Sequence, residues 1–244
     1  DFQVCKTNAA GVIEWQKTYG GPEGDGTVNI FERPVIRQTF DGGYLLVGTT
    51  CSFGAGSADI WVLRLAADGD ILWQKAFGGP AGECGTGAAL CRDGTFAVAG
   101  KTDSFGSEGT DIWILKLRGN GDLLWQSAYG SVAAESDPRR PSSEKLRDIE
   151  ETADGDLLAT GNSRDAPLLM RLGPNGALRW AIAYGNSCVD FAITALKTTS
   201  DGGCIVASDD GCIQRIGPQG NPIWYKTYLS VEKSGEKEAW LLHP

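Results

Sequence analysis

The sequence predicts an all-β fold of repeated four-stranded sheets, a β-propeller, and three observations support this. A long string that starts at Asp59, DIWVLRLAADGDILWQKAFGG, returns at Asp111 as DIWILKLRGNGDLLWQSAYG, 52 residues further on. The apolar runs are short, and none has the period of an amphipathic helix. Asp-Gly and Asn-Gly pairs, which are strong hairpin signals, separate these runs. Radially packed sheets would cover both faces of each repeat, which favours a propeller.

Each repeat contains four predicted strands, named A to D in chain order. In the best-defined copy we expect strand A over 34–39, B over 44–49, C over 60–65 and D over 71–77. The C strand reads IWVLRL, with apolar side chains on both sides, so its sheet needs cover on both faces. We expect tight turns with positive φ at both central residues at four Asp-Gly pairs: Asp41-Gly42, Asp93-Gly94, Asp154-Gly155 and Asp201-Gly202.

The copies follow one another along the whole chain, so we expect residues 1–244 to form a single propeller domain. The repeats extend over approximately 1–19, 34–77, 86–129, 146–184 and 191–228, and 238–242 is a closing strand. The chain opens in a C strand and ends in an A strand. We therefore expect five four-stranded blades, the last closed by the N- and C-terminal strands, which would leave few open edges. The alternative is a larger propeller of which this chain is one part.

Every D strand carries a tryptophan that is followed four positions later by an aromatic residue. The five tryptophans are Trp15, Trp73, Trp125, Trp180 and Trp224. The spacing L-x-x-x-G-x-x-x-W resembles the tryptophan-docking repeat of the quinoprotein-like propeller superfamily. The strings DGGYLLVGTT, SFGAGSADIWVLRL and ILWQKAFGG are similar to repeats of secreted and cell-surface proteins of bacteria and archaea. The resemblance implies that the indoles pack between adjacent blades as structural elements, and that the protein is extracellular or on the cell surface. It implies no quinone or other redox cofactor.

Composition excludes several functions. The formal net charge of −9 argues against a nucleic-acid partner, because no basic surface exists to neutralise phosphates. No apolar run approaches the roughly 20 residues that span a bilayer, so we expect no membrane insertion. The single histidine, His243, excludes Ser-His and Cys-His catalytic sites and multi-histidine metal sites. The only methionine is Met170, so we expect a processed product or a part of a longer protein or surface assembly.

Carboxylates are the remaining candidates for chemistry. Asp148 and Glu150 lie two positions apart on one predicted strand, so they could form the acid pair of a carbohydrate-active enzyme, or a merely solvated or channel-lining pair. Four acids stand six residues after the D-strand aromatic: Asp25, Glu83, Glu135 and Asp190. They are weak candidates for binding calcium, the only cofactor considered possible. The alternative is that each accepts hydrogen bonds from its own D/A connection.

Seven cysteines are present, and none form a C-x-x-C pair. If the chain is secreted, up to three disulfides are possible, and Cys84 with Cys91 is the first pairing hypothesis because the two flank a short loop. The alternative is buried, reduced cysteines, as in an intracellular interaction scaffold like the WD-repeat proteins.

The long connections of the repeats fall at one end of the predicted sheets. They are the B/C connections 50–58 and 102–110 and the D/A connection 131–145. Because repeat proteins place function where the copies carry loops, we expect this end to bind a protein or glycan partner. The candidate contacts are Phe53, Phe105, Arg139 and Arg140. Phe53 and Phe105 could instead anchor their loops, and the two arginines could lie on a solvated excursion. The function that the sequence favours is a non-catalytic binding scaffold.

Overall fold

The structure, a computed structural model, describes residues 1–26, 33–107, 109–130, 142–163, 166–184, 193–208, 211–233 and 236–242. All regular structure in these residues is β, as predicted, and they contain no helix. In this part of the chain there is accordingly no helix of the length and apolarity needed to cross a membrane. The chain divides into two compact units, Asp1–Gly130 (unit 1) and Ser131–Pro244 (unit 2). The single-domain organisation stays a prediction.

Unit 1 contains three antiparallel sheets. Its strands are β1 (Phe2–Thr7), β2 (Ile13–Tyr19), β3 (Asp25–Gly26), β4 (Val35–Gln38), β5 (Tyr44–Thr50), β6 (Asp59–Leu65), β7 (Ile71–Phe77), β8 (Glu83–Leu90), β9 (Phe96–Thr102), β10 (Gly109–Leu117) and β11 (Leu123–Tyr129). β1 pairs with β2. The second sheet has the order β4-β5-β6-β7, and the short β3 also pairs with β5. The third has the order β8-β9-β10-β11. The predicted A-B-C-D meander is thus present in the last two sheets.

Unit 2 contains two antiparallel sheets. Its strands are β12 (Ser142–Glu151), β13 (Leu157–Ser163), β14 (Ala166–Leu172), β15 (Leu178–Ala183), β16 (Ile193–Thr198), β17 (Cys204–Ser208), β18 (Cys212–Ile216), β19 (Pro222–Lys233) and β20 (Glu236–Leu242). The first sheet has the order β12-β13-β14-β15. The second has the order β16-β17-β18-β19-β20.

The C-terminal strand has a different partner from the one predicted. The strand predicted over 238–242 is present as β20, but it pairs with β19 along its whole length and forms the edge of a five-stranded sheet. The physical reason is that only two residues separate β19 from β20, so a hairpin costs little loop entropy. This pairing therefore does not close a blade with the N-terminal strands. A count of five blades stays a prediction.

The hairpin turns differ from the predicted two-residue type. At Thr39, the amide of Gly42 donates to the carbonyl of Thr39, and the Thr39 amide donates to the carbonyl of Gly43. Gly42 has a φ of 86°, in the left-handed region that favours glycine. This is a four-residue turn closed by a glycine bulge, the next most common hairpin solution. The same pair of hydrogen bonds closes the A/B and C/D turns in both units.

The cores are built on the C strands. Every residue of β6 is buried, as expected for a strand with cover on both faces. The largest fully buried side chains in unit 1 are Trp61 and Trp113, which are 1% and 2% exposed. Sequence reasoning emphasised the D-strand tryptophans and missed these two. In unit 2, Leu158 and Leu169 pack with Ile193 and Ile216.

The D-strand tryptophans contact the following repeat inside each unit. The indole N–H of Trp15 donates to the carbonyl of Ala67, and that of Trp73 donates to the carbonyl of Gly119, both at 3.0 Å. In unit 2, the ring of Trp180 lies beside Gly220. All these rings are partly exposed, Trp125 is partly buried, and Trp224 is 40% exposed. The contacts join consecutive repeats, and membership of the docking superfamily stays a prediction.

The turn aspartates are held by a basic residue of the C strand. Arg64 binds both carboxylate oxygens of Asp41, and Arg215 binds Asp201 in the same way. Hydrogen bonds from Thr39 and Gly43, together with Arg64, lower the pKa of Asp41 to about 2. The contacts give these aspartates a structural role.

The cysteine pairing predicted from the sequence is wrong. Cys84 and Cys91 are both buried and form no disulfide, and Cys5, Cys51 and Cys204 form none either. Cys84 instead accepts a hydrogen bond from the hydroxyl of Thr49 at 3.0 Å. Cys212 is in a disulfide whose partner lies outside the described residues.

Burial of Cys204 predicts a loss of stability at alkaline pH. Burial raises the pKa of its thiol to about 12 and also raises the pKa of Tyr184. Above pH 9 the unfolded chain loses the Cys204 proton while the folded chain keeps it, so the free energy of unfolding falls as pH rises. We expect Cys204→Ala to remove about 2 kcal/mol of the fall between pH 9 and 11, measured by urea unfolding. Cys5→Ala, at an exposed cysteine, is the control, and equal pH profiles for the two variants would contradict this.

Candidate functional site

The candidate site is one end of unit 1, where the B/C loops 51–58 and 103–107 meet the D/A segments 20–24 and 78–82. We call this end the loop face. The amide of Ser57 donates to the carbonyl of Ala81, and the amide of Asp103 donates to the carbonyl of Gly82, both at 3.0 Å. The segment 78–82 is thus hydrogen-bonded to the loop on each side of it, so the loop face is continuous from one repeat to the next.

In two successive repeats of unit 1, one acid ties a D/A segment to a B/C loop. The carboxylate of Asp25 accepts hydrogen bonds from the amide of Gly21 at 2.7 Å, the hydroxyl of Ser52 at 2.8 Å and the hydroxyl of Thr50. Burial alone would raise the pKa of Asp25, but these hydrogen bonds outweigh it and lower the pKa below the usual range. Asp25 is therefore held as a charged anchor for loop 51–58.

Glu83 repeats this arrangement in the next copy. Its carboxylate accepts from the amide of Gly79 at 2.7 Å, the hydroxyl of Thr102 at 2.8 Å and the amide of Ser104 at 3.2 Å. Gly21 and Gly79 belong to the D/A segments, so the alternative that each acid accepts hydrogen bonds from its own D/A connection is confirmed for Asp25 and Glu83. The two acids are the first residues of β3 and β8. Two further calcium candidates, Glu135 and Asp190, lie outside the described residues, and calcium binding by the set of four stays a prediction.

A second acid closes each B/C loop at the first residues of the C strand. Oδ2 of Asp59 accepts hydrogen bonds from the amides of Ala55 at 3.1 Å and Gly56 at 3.2 Å. Asp111 accepts from the amide of Ser107 at 2.5 Å and from its hydroxyl at 2.9 Å. Asp59 and Asp111 are 1% and 0% exposed. In both copies the acid stands four residues after the loop residue that donates to it, Ala55 or Ser107.

Asp59, the second acid of one repeat, and Glu83, the first acid of the next, approach each other at Gly78. A Cβ at Gly78 would overlap Oδ1 of Asp59 and lie 2.5 Å from Oε2 of Glu83. Burial raises the pKa of Asp59, and the like charge of Glu83 adds to this rise. The hydrogen bond from the amide of Gly56 lowers the pKa but does not offset them. Glycine is required here because both carboxylates pack against its Cα.

The two candidate phenylalanines pack on the buried C-strand tryptophans. The ring centroids of Phe53 and Trp61 are 5.3 Å apart, and those of Phe105 and Trp113 are 5.1 Å apart. Both phenylalanines are partly buried, so they anchor their loops and leave only part of each ring accessible. Arg139 and Arg140 lie outside the described residues. The exposed residues of the two loops are small: Gly54, Ala55, Ser57, Gly106 and Ser107, with Asp103 beside them.

The proposed catalytic pair, Asp148 and Glu150, lies in unit 2, where both carboxylates accept hydrogen bonds from the backbone of β16. Oδ2 of Asp148 accepts a hydrogen bond from the amide of Leu196 at 3.3 Å, and Oε2 of Glu150 accepts one from the amide of Thr198 at 2.8 Å. Oε1 of Glu150 also accepts from Nζ of Lys197 at 2.6 Å. The two carboxylates thus satisfy alternate N–H groups on the outer edge of β16. This structural use explains why Asp148 and Glu150 are two positions apart.

This use of Glu150 predicts a stability effect. Glu150→Ala leaves the Thr198 amide without its acceptor, so we expect a loss of about 1–2 kcal/mol in the free energy of unfolding by urea. Glu150→Gln keeps one acceptor oxygen and is expected to lose less. Equal stability of the wild type and Glu150→Ala would show that the edge contact contributes nothing.

Comparison with known proteins identifies the fold. No protein-family model matches the sequence, and no curated protein matches it. Among solved structures, a protein of unknown function from Bacteroides caccae superposes with a TM-score of 0.59 at 18% identity, covering 89% of this chain and 66% of that one. The Dos1 propeller superposes with a TM-score of 0.57 at 12% identity, covering 91% and 53%. A protein from Lactobacillus plantarum gives 0.50 at 14% identity, covering 98% and 63%.

The chain is therefore a repeat protein with a propeller-like fold. It spans between about half and two thirds of the length of these structures. Identities this low show the fold alone, and a fold of this kind carries many unrelated functions.

Proposed function

We propose that this chain is a non-catalytic binding module that recognises a protein or glycan partner through its loop face. The observation that carries the proposal is that each B/C loop of unit 1 is fixed at both ends by a buried or nearly buried carboxylate. Asp25 and Asp59 hold loop 51–58, and Glu83 and Asp111 hold loop 103–107.

Fixed loops favour binding because their conformational entropy is lost on folding and not on association. The exposed loop residues are small, so backbone groups and the accessible parts of Phe53 and Phe105 supply the contacts. Such a surface, polar with partly exposed aromatic rings, suits a peptide or a sugar ring better than a large apolar partner. Arg139 and Arg140, which lie outside the described residues, stay candidate contacts as predicted from the sequence.

We place the protein outside the cell or on its surface, within a larger protein or assembly. The disulfide at Cys212 supports this location, because disulfides persist in oxidising compartments. The intracellular scaffold and the carbohydrate-active enzyme are the competing functions. The structural use of Asp148 and Glu150 removes the specific support for the enzyme.

A matched pair of lysine substitutions, each replacing an alanine, tests the loop face. Ala55→Lys places a long charged side chain on loop 51–58, and Ala67→Lys places the same side chain on the exposed C/D turn of the same sheet. The full chain and both variants are screened against a glycan array and against cell-surface extracts, with captured ligands confirmed by direct titration. We expect a ligand that binds the wild type and Ala67→Lys and loses at least about tenfold in affinity for Ala55→Lys.

Two results would overturn the proposal. The first is a confirmed ligand whose affinity falls in Ala67→Lys and not in Ala55→Lys. The second is hydrolysis of an array glycan by the wild type that Glu150→Gln abolishes, which would establish the enzyme.

A further inference from the structure

One carboxylate oxygen beneath the loop face is buried without a hydrogen-bond partner. Asp59 is 1% exposed, and both of the amides that reach it bind Oδ2. In the part of the chain that the structure describes, Oδ1 of Asp59 has no donor. A buried carboxylate oxygen left unsatisfied is costly, so a positive or donating group is expected at this point.

The unpartnered oxygen faces a second buried carboxylate. Glu83 is also 1% exposed, and its Oε2 lies with Oδ1 of Asp59 against the Cα of Gly78. Within the described residues, neither carboxylate has a lysine or arginine partner. Two buried carboxylates thus lie side by side, and the described donors to Glu83 are neutral: the amide of Gly79 reaches Oε2, and Thr102 and Ser104 reach Oε1.

The next repeat shows what the missing group would be. There, the hydroxyl of Ser107 donates to Oδ1 of Asp111 at 2.9 Å. The residue at the equivalent position of loop 51–58 is Ala55, whose side chain has no donor. Loop 51–58 therefore keeps the acid of its neighbour but lacks the side chain that satisfies it.

We propose that Asp59 and Glu83 bind a calcium ion through Oδ1 and Oε2. Both ligand atoms are hard carboxylate oxygens, and their total charge matches a divalent cation. Calcium accepts irregular oxygen geometry and can complete its shell with backbone carbonyls and water, whereas magnesium demands a regular octahedron. The ion joins Asp59, which holds loop 51–58, to Glu83, which holds segment 78–82. It therefore stiffens the loop face. This inference does not depend on the identity or existence of the partner.

The test measures calcium binding and thermal unfolding of the full chain after treatment with a chelator. We expect calcium to bind in calorimetry and, at about a hundredfold excess over its Kd, to raise Tm by roughly 5–10 °C. Asp59→Asn removes one ligand charge and abolishes both effects. Ala55→Ser keeps both carboxylates but supplies the hydroxyl that Ser107 gives to Asp111, and it weakens calcium binding at least about tenfold. Asp122→Asn, at an exposed turn carboxylate, binds calcium as the wild type does.

Three outcomes would overturn the proposal. One is the absence of any calcium response in the wild type at millimolar concentration. Another is calcium binding that neither Asp59→Asn nor Ala55→Ser weakens, which would place the ion elsewhere. The last is a wild-type Tm that changes with pH between 4 and 7 but not with calcium, and whose pH dependence Ala55→Ser removes. That result would show that the two carboxylates share a proton.

Discussion

Gly78→Ala is expected to lower the free energy of unfolding by about 3 kcal/mol or more. The added methyl group would occupy space already filled by Oδ1 of Asp59 and Oε2 of Glu83. Neither carboxylate can move away cheaply, because each is fixed by hydrogen bonds to a loop. For a chain of this size the loss corresponds to a fall in Tm of roughly 6–12 °C, measured by calorimetry.

Gly24→Ala is the matched control for this substitution. Gly24 also follows a D strand, but a Cβ there would meet nothing within 4 Å. We expect its Tm to lie within about 2 °C of the wild type. If Gly78→Ala were as stable as Gly24→Ala, the approach of the two carboxylates would not exist in solution.

Arg171→Ala is expected to cost about 3–5 kcal/mol, the second large effect. Arg171 is buried and donates through Nε to Asp156 and through a terminal nitrogen to Asp154, both at 2.7 Å. Its other terminal nitrogen donates to the carbonyls of Gly202 and Pro218 in the next repeat. Removing the guanidinium leaves the buried carboxylate of Asp156 with less compensation and breaks the link between two sheets of unit 2.

The control uses a second arginine on the same carboxylate. Arg179 also binds Asp156 at 2.7 Å, but its side chain is 54% exposed. Because exposed ion pairs contribute little, we expect Arg179→Ala to cost no more than about 1 kcal/mol by urea unfolding. Equal costs for the two variants would mean that burial of Arg171 does not determine the strength of this contact.

The strands could be predicted from the sequence because the repeats report the same pattern several times. Strand D was predicted over 71–77 and β7 has those bounds, while strands B and C are each one residue longer than predicted. The turn type was wrong because an Asp-Gly pair is compatible with more than one hairpin. The choice depends on where the glycine falls relative to the last ladder pair, which the dipeptide alone does not show.

The acids of the loop face were recognised only in part. Asp25 and Glu83 were noticed because they recur at a fixed distance from the D strand. The approach of Asp59 to Glu83 was not predicted, because the two acids lie 24 positions apart in the chain. A comparison of Ala55 with Ser107 could have signalled the difference between the two loops. The partner of β20 could not be predicted from repeat counting, since counting assigns a strand its place but not its neighbour.

Hydrogen exchange of the loop amides tests the central claim, that carboxylates fix the loop face, most directly. The amides of Gly21, Ala55, Gly79 and Ser104 donate to these carboxylates. In NMR-detected exchange of the full chain, we expect them to exchange at least about 100-fold more slowly than in the unfolded chain. The amides of Ala67 and Asp68, on an exposed turn, are expected to exchange within about tenfold of the unfolded rate. Loop amides that exchange as fast as those of Ala67 and Asp68 would contradict the account.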